Sequence, residues 1–206
     1  MLPVKEVCVE SFDEAVRAIE AGATRIELCE NLSVGGTTPS YGTIRKCKEK
    51  LNVPVMVMIR PRGGNFTYTA DEFDIMKDDI LKCRELKADG IVLGLLNELG
   101  EIDEIRTRQL VRIAGNMQVT FHKAIDVAKD ILDCVEILKK TGVKRILSSG
   151  GEKTASDGQD ILNKMIKLAA PDMTVIVAGK VTWENFAEIS ERIPSAEYHG
   201  RRLVPF

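Results

Sequence analysis

Both histidines of this chain, His122 and His199, close short apolar runs, and so do most of its other residues capable of chemistry. Glu27 sits two residues before Cys29 at the end of one run. Arg60 and Arg62 flank Pro61 at the end of another, and Cys8 comes just before the close of the first. Paired glycines, Gly150-Gly151, and the single Gly179 end two more. Chemically, Glu27 and His122 form an acid/base set, and Arg60 with Arg62 a pair of anion holders. The backbone amides of Gly150, Gly151 and Gly179, with a helix expected to start at Thr182, are suited to cradling a phosphate or carboxylate. There is no Walker loop, no Ser-His-Asp spacing, no HExxH and no cofactor motif.

The elements that must carry these groups alternate along the chain. Apolar runs occur at Val4–Val9, Thr24–Cys29, Pro54–Arg60, Gly90–Gly94, Gln118–His122, Arg145–Ser149, Met173–Ala178 and Ala196–His199. They are short and often β-branched, as buried parallel strands are. Amphipathic stretches lie between them, at Phe12–Ala21, Ser40–Leu51, Thr69–Leu86, Asp103–Ala114, Lys129–Lys140, Gly158–Ala169 and Thr182–Arg192. Ser11 and Ser40 are natural N-caps, and Asp71 and Glu72 place negative charge in a first helical turn. Eight strands and seven helices without a linker predict an α/β fold of the TIM type: one (β/α)8 barrel over residues 1–206 that lacks its eighth outer helix. A doubly wound open sheet is the competing architecture. It would carry GxGxxG after the first strand, where this chain has Glu10-Ser11-Phe12. In a barrel the chemistry lies at the carboxyl ends of the strands, and every group named above falls there. Each also has a plainer role: glycine pairs permit tight turns, and Glu27 with Arg60 makes a structural ion pair in the barrel mouth.

Composition narrows the classes of function. The chain has 206 residues, 44% of them apolar, a formal net charge of −2 and a pI near 5.8. Basic clusters are short, which argues against nucleic acid or an anionic membrane as partner. No apolar run reaches the roughly 18 residues of a membrane helix, and the amino terminus lacks the apolar core of a signal peptide. The expectation is a cytoplasmic protein. Five cysteines, at 8, 29, 47, 83 and 134, fit neither a disulfide framework nor a CxxC zinc site, and should be free thiols.

The blocks "ELCENLSVGGTTPSYG", "IRPRGG", "TFHKAID", "SSGG" and "EYHG" resemble the signature blocks of the CutC family of copper homeostasis proteins. They span the second strand to the last, so the resemblance covers essentially the whole chain. It implies a TIM-type barrel, a cytoplasmic location, and a link to copper tolerance and copper binding. Two departures stand out. Lys123 and Ile125 replace the family's Arg and Phe, and Lys180 adds a charge where the family places a small residue.

Two functions compete. One is a homeostasis protein binding copper(I), a soft ion that prefers thiolates and thioethers. If Glu27 faces inward, Cys29 does too by the period of two. Cys8 and Cys29 then end neighbouring strands as a two-coordinate site, at positions where some family members carry cysteine. Met56 and Met58, on the face of Arg60, add thioethers or simply fill the core. The other function is an enzyme acting on a small phosphorylated or carboxylated metabolite, with Glu27 and His122 as acid and base and the arginines as clamp. The loop from Glu27 to Ser40 suits such an anionic ligand. Gly35 and Gly36 allow close approach, Thr37 and Thr38 offer hydroxyls, and Glu27 either pairs with Arg60 or acts as the acid/base. The alternative is a rigid loop that only braces the rim. Finally, the apolar tail Leu203-Val204-Pro205-Phe206 must pack over the uncovered barrel wall or against a neighbour, which predicts a homo-oligomer, with a dimer favoured.

Overall fold

The structure, a computed structural model, describes residues 2–206. Eight parallel strands, β1 (Val4–Val9), β2 (Arg25–Leu28), β3 (Val55–Met58), β4 (Gly90–Leu93), β5 (Gln118–Phe121), β6 (Arg145–Ser148), β7 (Thr174–Val177) and β8 (Glu197–His199), pair in chain order. The last pairs with the first, Glu6 opposite His199, and closes the barrel. Seven helices cover it: α1 (Phe12–Glu20), α2 (Tyr41–Lys50), α3 (Ala70–Glu85), α4 (Glu104–Ala114), α5 (Ile131–Lys139), α6 (Gln159–Ala169) and α7 (Phe186–Arg192). No helix follows β8, as expected, and the open-sheet alternative is excluded.

Local chemistry sets the helix starts. Ser11 and Ser40 accept from the amides of Glu14 and Thr43. At α3 the Thr69 hydroxyl accepts from the Glu72 amide while the Glu72 carboxylate accepts from the Thr69 amide, a reciprocal cap. The seventh helix departs from expectation. It begins at Phe186 rather than Thr182, because Asn185 folds its side chain back, accepting from Thr182 N at 2.8 Å and donating to Lys180 O at 3.0 Å.

The period of two divides the strands cleanly. Outward residues such as Val7, Ile26, Val57, Leu93, Phe121 and Tyr198 join the helices in one large core. Facing the axis are two smaller apolar clusters, Cys29 with Met56, Met58 and Val92, and Leu147 with Ile176 and Ala178. Gly90 makes the first cluster possible: a Cβ there would lie 2.2 Å from the Met56 methyl. Alongside these clusters runs a buried chain of charges. Arg145 bonds Glu197, Glu197 bonds Arg25, Arg25 Nε donates to Glu6 at 2.6 Å, and Glu6 bonds His199. Each charge in this chain is paired, the condition under which burial is tolerable.

The tail folds back onto its own chain. Thr182 and Arg202 form a bridge, Trp183 N donates to Arg202 O at 2.8 Å, and Leu203 and Val204 are buried in the main core. Leu203 and Val204 are thus covered by the chain itself, while Pro205 and Phe206 stay exposed. Among the described residues, no helix is long and apolar enough to cross a membrane.

Candidate functional site

The carboxyl ends of the strands surround a cavity of about 130 Å³, walled by Cys8, Glu27, Leu32, Gly35, Met58, Phe66, His122, Lys123, Leu147 and His199. A larger hollow beside Lys144 and Met173 lies at the opposite end of the barrel, away from both histidines.

Three strand ends bring Cys8, Glu27 and His199 together. One ligand atom from each, the thiol sulfur, a carboxylate oxygen and a ring nitrogen, lies within 4.8 Å of the others. His199 is set from behind: its Nδ1 is 2.8 Å from Glu6 Oε1, leaving Nε2 toward Glu27 Oε1 at 4.0 Å. A carboxylate behind an imidazole is the usual way a metal-binding histidine is oriented. Burial alone would lower the His199 pKa, but Glu27, Cys8 and Glu6 raise it well above its ordinary value. Burial alone would raise Glu6, yet its bonds to His199 and Arg25 hold it at about 2. Glu27 is raised chiefly by burial. Cys29 is not one of the three. Its thiol lies against Glu27 Oε1 at 3.4 Å, and burial and that carboxylate push its pKa far up.

His122 enters from β5 through a gap left by Gly94, where a Cβ would lie 2.3 Å from the imidazole Nδ1. Ala124 N donates to Nδ1 at 3.2 Å, which places the ring proton on Nε2. Burial and the Arg60 charge depress its pKa to about 3, so the ring is neutral at physiological pH. Neither His122 Nε2 nor Glu27 Oε2 has a hydrogen-bond partner.

The arginines and glycines proposed to hold an anion engage groups of the chain itself. Arg60 does not pair with Glu27. Its Nη1 donates to Val34 O and Gly36 O, both at 3.0 Å, and its Nη2 to Gly64 O at 2.7 Å. Arg62 pairs with Glu72 at 2.5 Å and donates to the carbonyls of Gly63, Asn65 and Thr67. The Gly151 amide donates to the Asp126 carboxylate at 3.1 Å, joined there by Ser148 Oγ, Ser149 N and Oγ, and Lys123 Nζ. The Gly150 amide goes to Ser148 Oγ. Gly179, at φ +100°, packs so closely on Ser149 that a Cβ would lie 2.7 Å from it. An internal carboxylate therefore sits where a ligand anion was expected.

The loop after β2 is likewise self-satisfied. Glu30 and Thr37 pair across it. Thr37 Oγ1 donates to Glu30 O, and Thr38 Oγ1 accepts from Arg60 N at 2.9 Å. With Gly35 against Arg60 and Gly36 against Cys29, the loop folds over the barrel mouth, and Leu32 and Gly35 form one wall of the cavity.

Sequence reasoning missed Glu6 behind His199 and two residues of the cavity wall. Glu6 had a signal: in Val-Lys-Glu-Val-Cys-Val it shares the inward face with Cys8, two residues on. Phe66 and Leu147 had none, since nothing distinguishes them in sequence from core residues.

A closed parallel barrel with polar groups at its strand ends places this chain among the TIM barrels, and a deoxyribose phosphate aldolase from Aeropyrum pernix shares that fold alone (TM-score 0.68, 14% identity, covering 97% of this chain and 86% of that one). The relatives are more specific. The model of the CutC family matches residues 4–203, and the chain belongs to that family. It is 42% identical over 197 residues to a CutC family protein of Chromobacterium violaceum, covering 96% of this chain and 80% of the relative. The human copper homeostasis protein cutC homolog is 41% identical over 194 residues, 94% of this chain and 71% of the relative. A crystal structure of a CutC protein from Streptococcus agalactiae superposes with a TM-score of 0.94 at 35% identity, covering 98% of this chain and all of that one.

Proposed function

We propose that the chain takes part in copper homeostasis by binding copper(I) as cargo in the inner cavity, through Cys8 Sγ and His199 Nε2. The observation that carries this reading is the convergence of Cys8, Glu27 and His199, with Glu6 bonded behind the imidazole. Thiolate and imidazole suit copper. Met58 lines the same cavity and offers a soft thioether, while the Glu27 carboxylate balances charge. His199 gives up its Nε2 proton on binding and keeps its bond to Glu6. All five cysteines are free and buried, which suits a reducing cytosol. The relatives' name, copper homeostasis protein, agrees with this reading.

Anaerobic titration against a copper(I) chelator tests it. The parent should bind one ion, and Cys8→Ser and His199→Gln should each weaken binding at least 100-fold. If Cys29→Ser weakens binding as much as Cys8→Ser while His199→Gln does not, the site is instead the pair of thiols. If none of the three matters, the cavity is not the copper site.

A further inference from the structure

We infer that the inner cavity is also a binding site for a small α-hydroxycarbonyl compound, whose carbonyl oxygen accepts from His122 Nε2 and whose hydroxyl donates to Glu27 Oε2. The inference concerns the metal-free protein and does not depend on the copper reading.

Two observations carry it. His122 and Glu27 are only 4% and 3% exposed, line one cavity, and each holds one polar atom without a partner. The remaining hydrogen-bonding atom of each is fixed. Ala124 N donates to His122 Nδ1, so Nε2 is the donor, and Cys29 donates to Glu27 Oε1, so Oε2 is the open oxygen, an acceptor in the ionised carboxylate. Depression of the His122 pKa agrees with a neutral ring presenting a single N–H. The large majority of buried polar groups in folded proteins are paired. Two unpartnered atoms, a donor and a carboxylate oxygen, on residues that line one small cavity call for one acceptor and one donor on the same ligand.

The remaining walls narrow the class. Leu32, Met58, Phe66 and Leu147 give the apolar lining that takes a short carbon skeleton. At about 130 Å³ the cavity admits a few waters or a ligand of few heavy atoms. A phosphate would bring negative charge against the Glu27 carboxylate and is disfavoured there. The cations that would hold one, Arg60 and Arg62, bond carbonyls and Glu72 instead. An anionic substituent is accommodated only if it points outward, past Lys123, which lines both this cavity and the outer hollow of about 540 Å³ that also holds Lys153.

Hydroxyacetone, with acetone and 1,2-propanediol as analogues lacking the hydroxyl or the carbonyl, tests this on the metal-free protein. The expected result is saturable binding of hydroxyacetone, a shift of the His122 Nε2 resonance on binding, and at least about tenfold weaker binding of either analogue. His122→Phe and Glu27→Met, checked for folding by thermal melting, should each weaken hydroxyacetone by a similar factor. Should either variant fail to fold, the comparison of the three probes on the parent still decides. Absence of saturation, equal affinity for the three probes (ordered water alone filling the pair), or an unmoved His122 resonance would overturn the inference. A hydroxyacetone phosphate that binds as well as hydroxyacetone would place the anion outward at Lys123. If it binds and hydroxyacetone does not, the uncharged class is wrong.

Discussion

Glu6 and His199 are 193 residues apart in the chain and 2.8 Å apart in the barrel. Their bond is made where the last strand pairs with the first, so one contact both seals the barrel and orients the imidazole. Glu6 also accepts from Arg25 Nε at 2.6 Å. Glu6→Gln keeps the shape and removes the charge. It leaves Arg25 with Glu197 alone, and breaking a buried pair of this kind costs about 3–5 kcal/mol. Losing the carboxylate behind a metal-binding histidine typically costs about 10–100-fold in metal affinity. Urea unfolding and copper(I) competition should show both losses together. A loss of stability with unchanged copper affinity would make Glu6 a barrel residue only.

The pH dependence of stability should carry the signature of His122. Its folded-state pKa is about 3, against about 6.5 in an unfolded chain. Between those values the unfolded chain binds a proton that the folded protein refuses, so stability falls as pH falls. The contribution is complete above pH 6.5 and disappears progressively toward pH 3, at about 1.4 kcal/mol per pH unit. His122→Asn carries no titrating group and should flatten that part of the profile by about one proton. Urea midpoints from pH 7 to pH 4 measure it, and parallel profiles for parent and variant would refute it.

Arg60 should act as the pin of the loop after β2. Its guanidinium holds the carbonyls of Val34, Gly36 and Gly64 at once, and its backbone exchanges two bonds with Thr38. Hydrogen bonds from a charged donor are worth about 1.5–3 kcal/mol each, and their losses are not additive. Arg60→Ala should therefore cost about 3 kcal/mol, within the range for breaking a buried network. Amide exchange should accelerate most between residues 30 and 38. Uniform acceleration over the whole barrel would mean that the arginine serves the core rather than the loop.

What the sequence disclosed, and what it did not, follows from the range of the forces involved. Strands and helices were legible because period and capping are local: Ser11, Ser40 and Thr69 cap the helices they precede. The start of α7 differs from the sequence expectation because Thr182 has the form of a cap, while the Asn185 side chain that turns back onto it competes only in three dimensions. A sequence shows Arg60 and Arg62 as cations but not the carbonyls they meet. The contact of Glu6 with His199 was invisible for a different reason. It exists only once the barrel closes, and closure brings the two ends of the chain together.

The turn after β6 is built to hold an anion, and Asp126 supplies it. Amides of Ser149 and Gly151, the hydroxyls of Ser148 and Ser149, and Lys123 Nζ converge on that one carboxylate. Gly150 and Gly151, at φ +72° and +80°, turn the backbone so that its N–H groups point inward, a conformation open to glycine at little cost. Successive amides aimed at one point make an anion site wherever they occur. Asp126→Ala should leave the donors in place without their acceptor, at a cost of about 1–3 kcal/mol for each buried group left unpaired. Inorganic phosphate or sulfate should then partly replace the missing carboxylate. The melting temperature of the variant should rise with millimolar phosphate by more than that of the parent, in which Asp126 blocks the site. Asp126→Asn makes the second arm. Its amide oxygen still accepts from part of the cradle, so it should be less destabilised and less responsive to phosphate. Equal phosphate dependence in parent and Asp126→Ala would show that the donors collapse or reach water once the carboxylate is gone, and that the turn has no affinity for an anion beyond the one in its own chain.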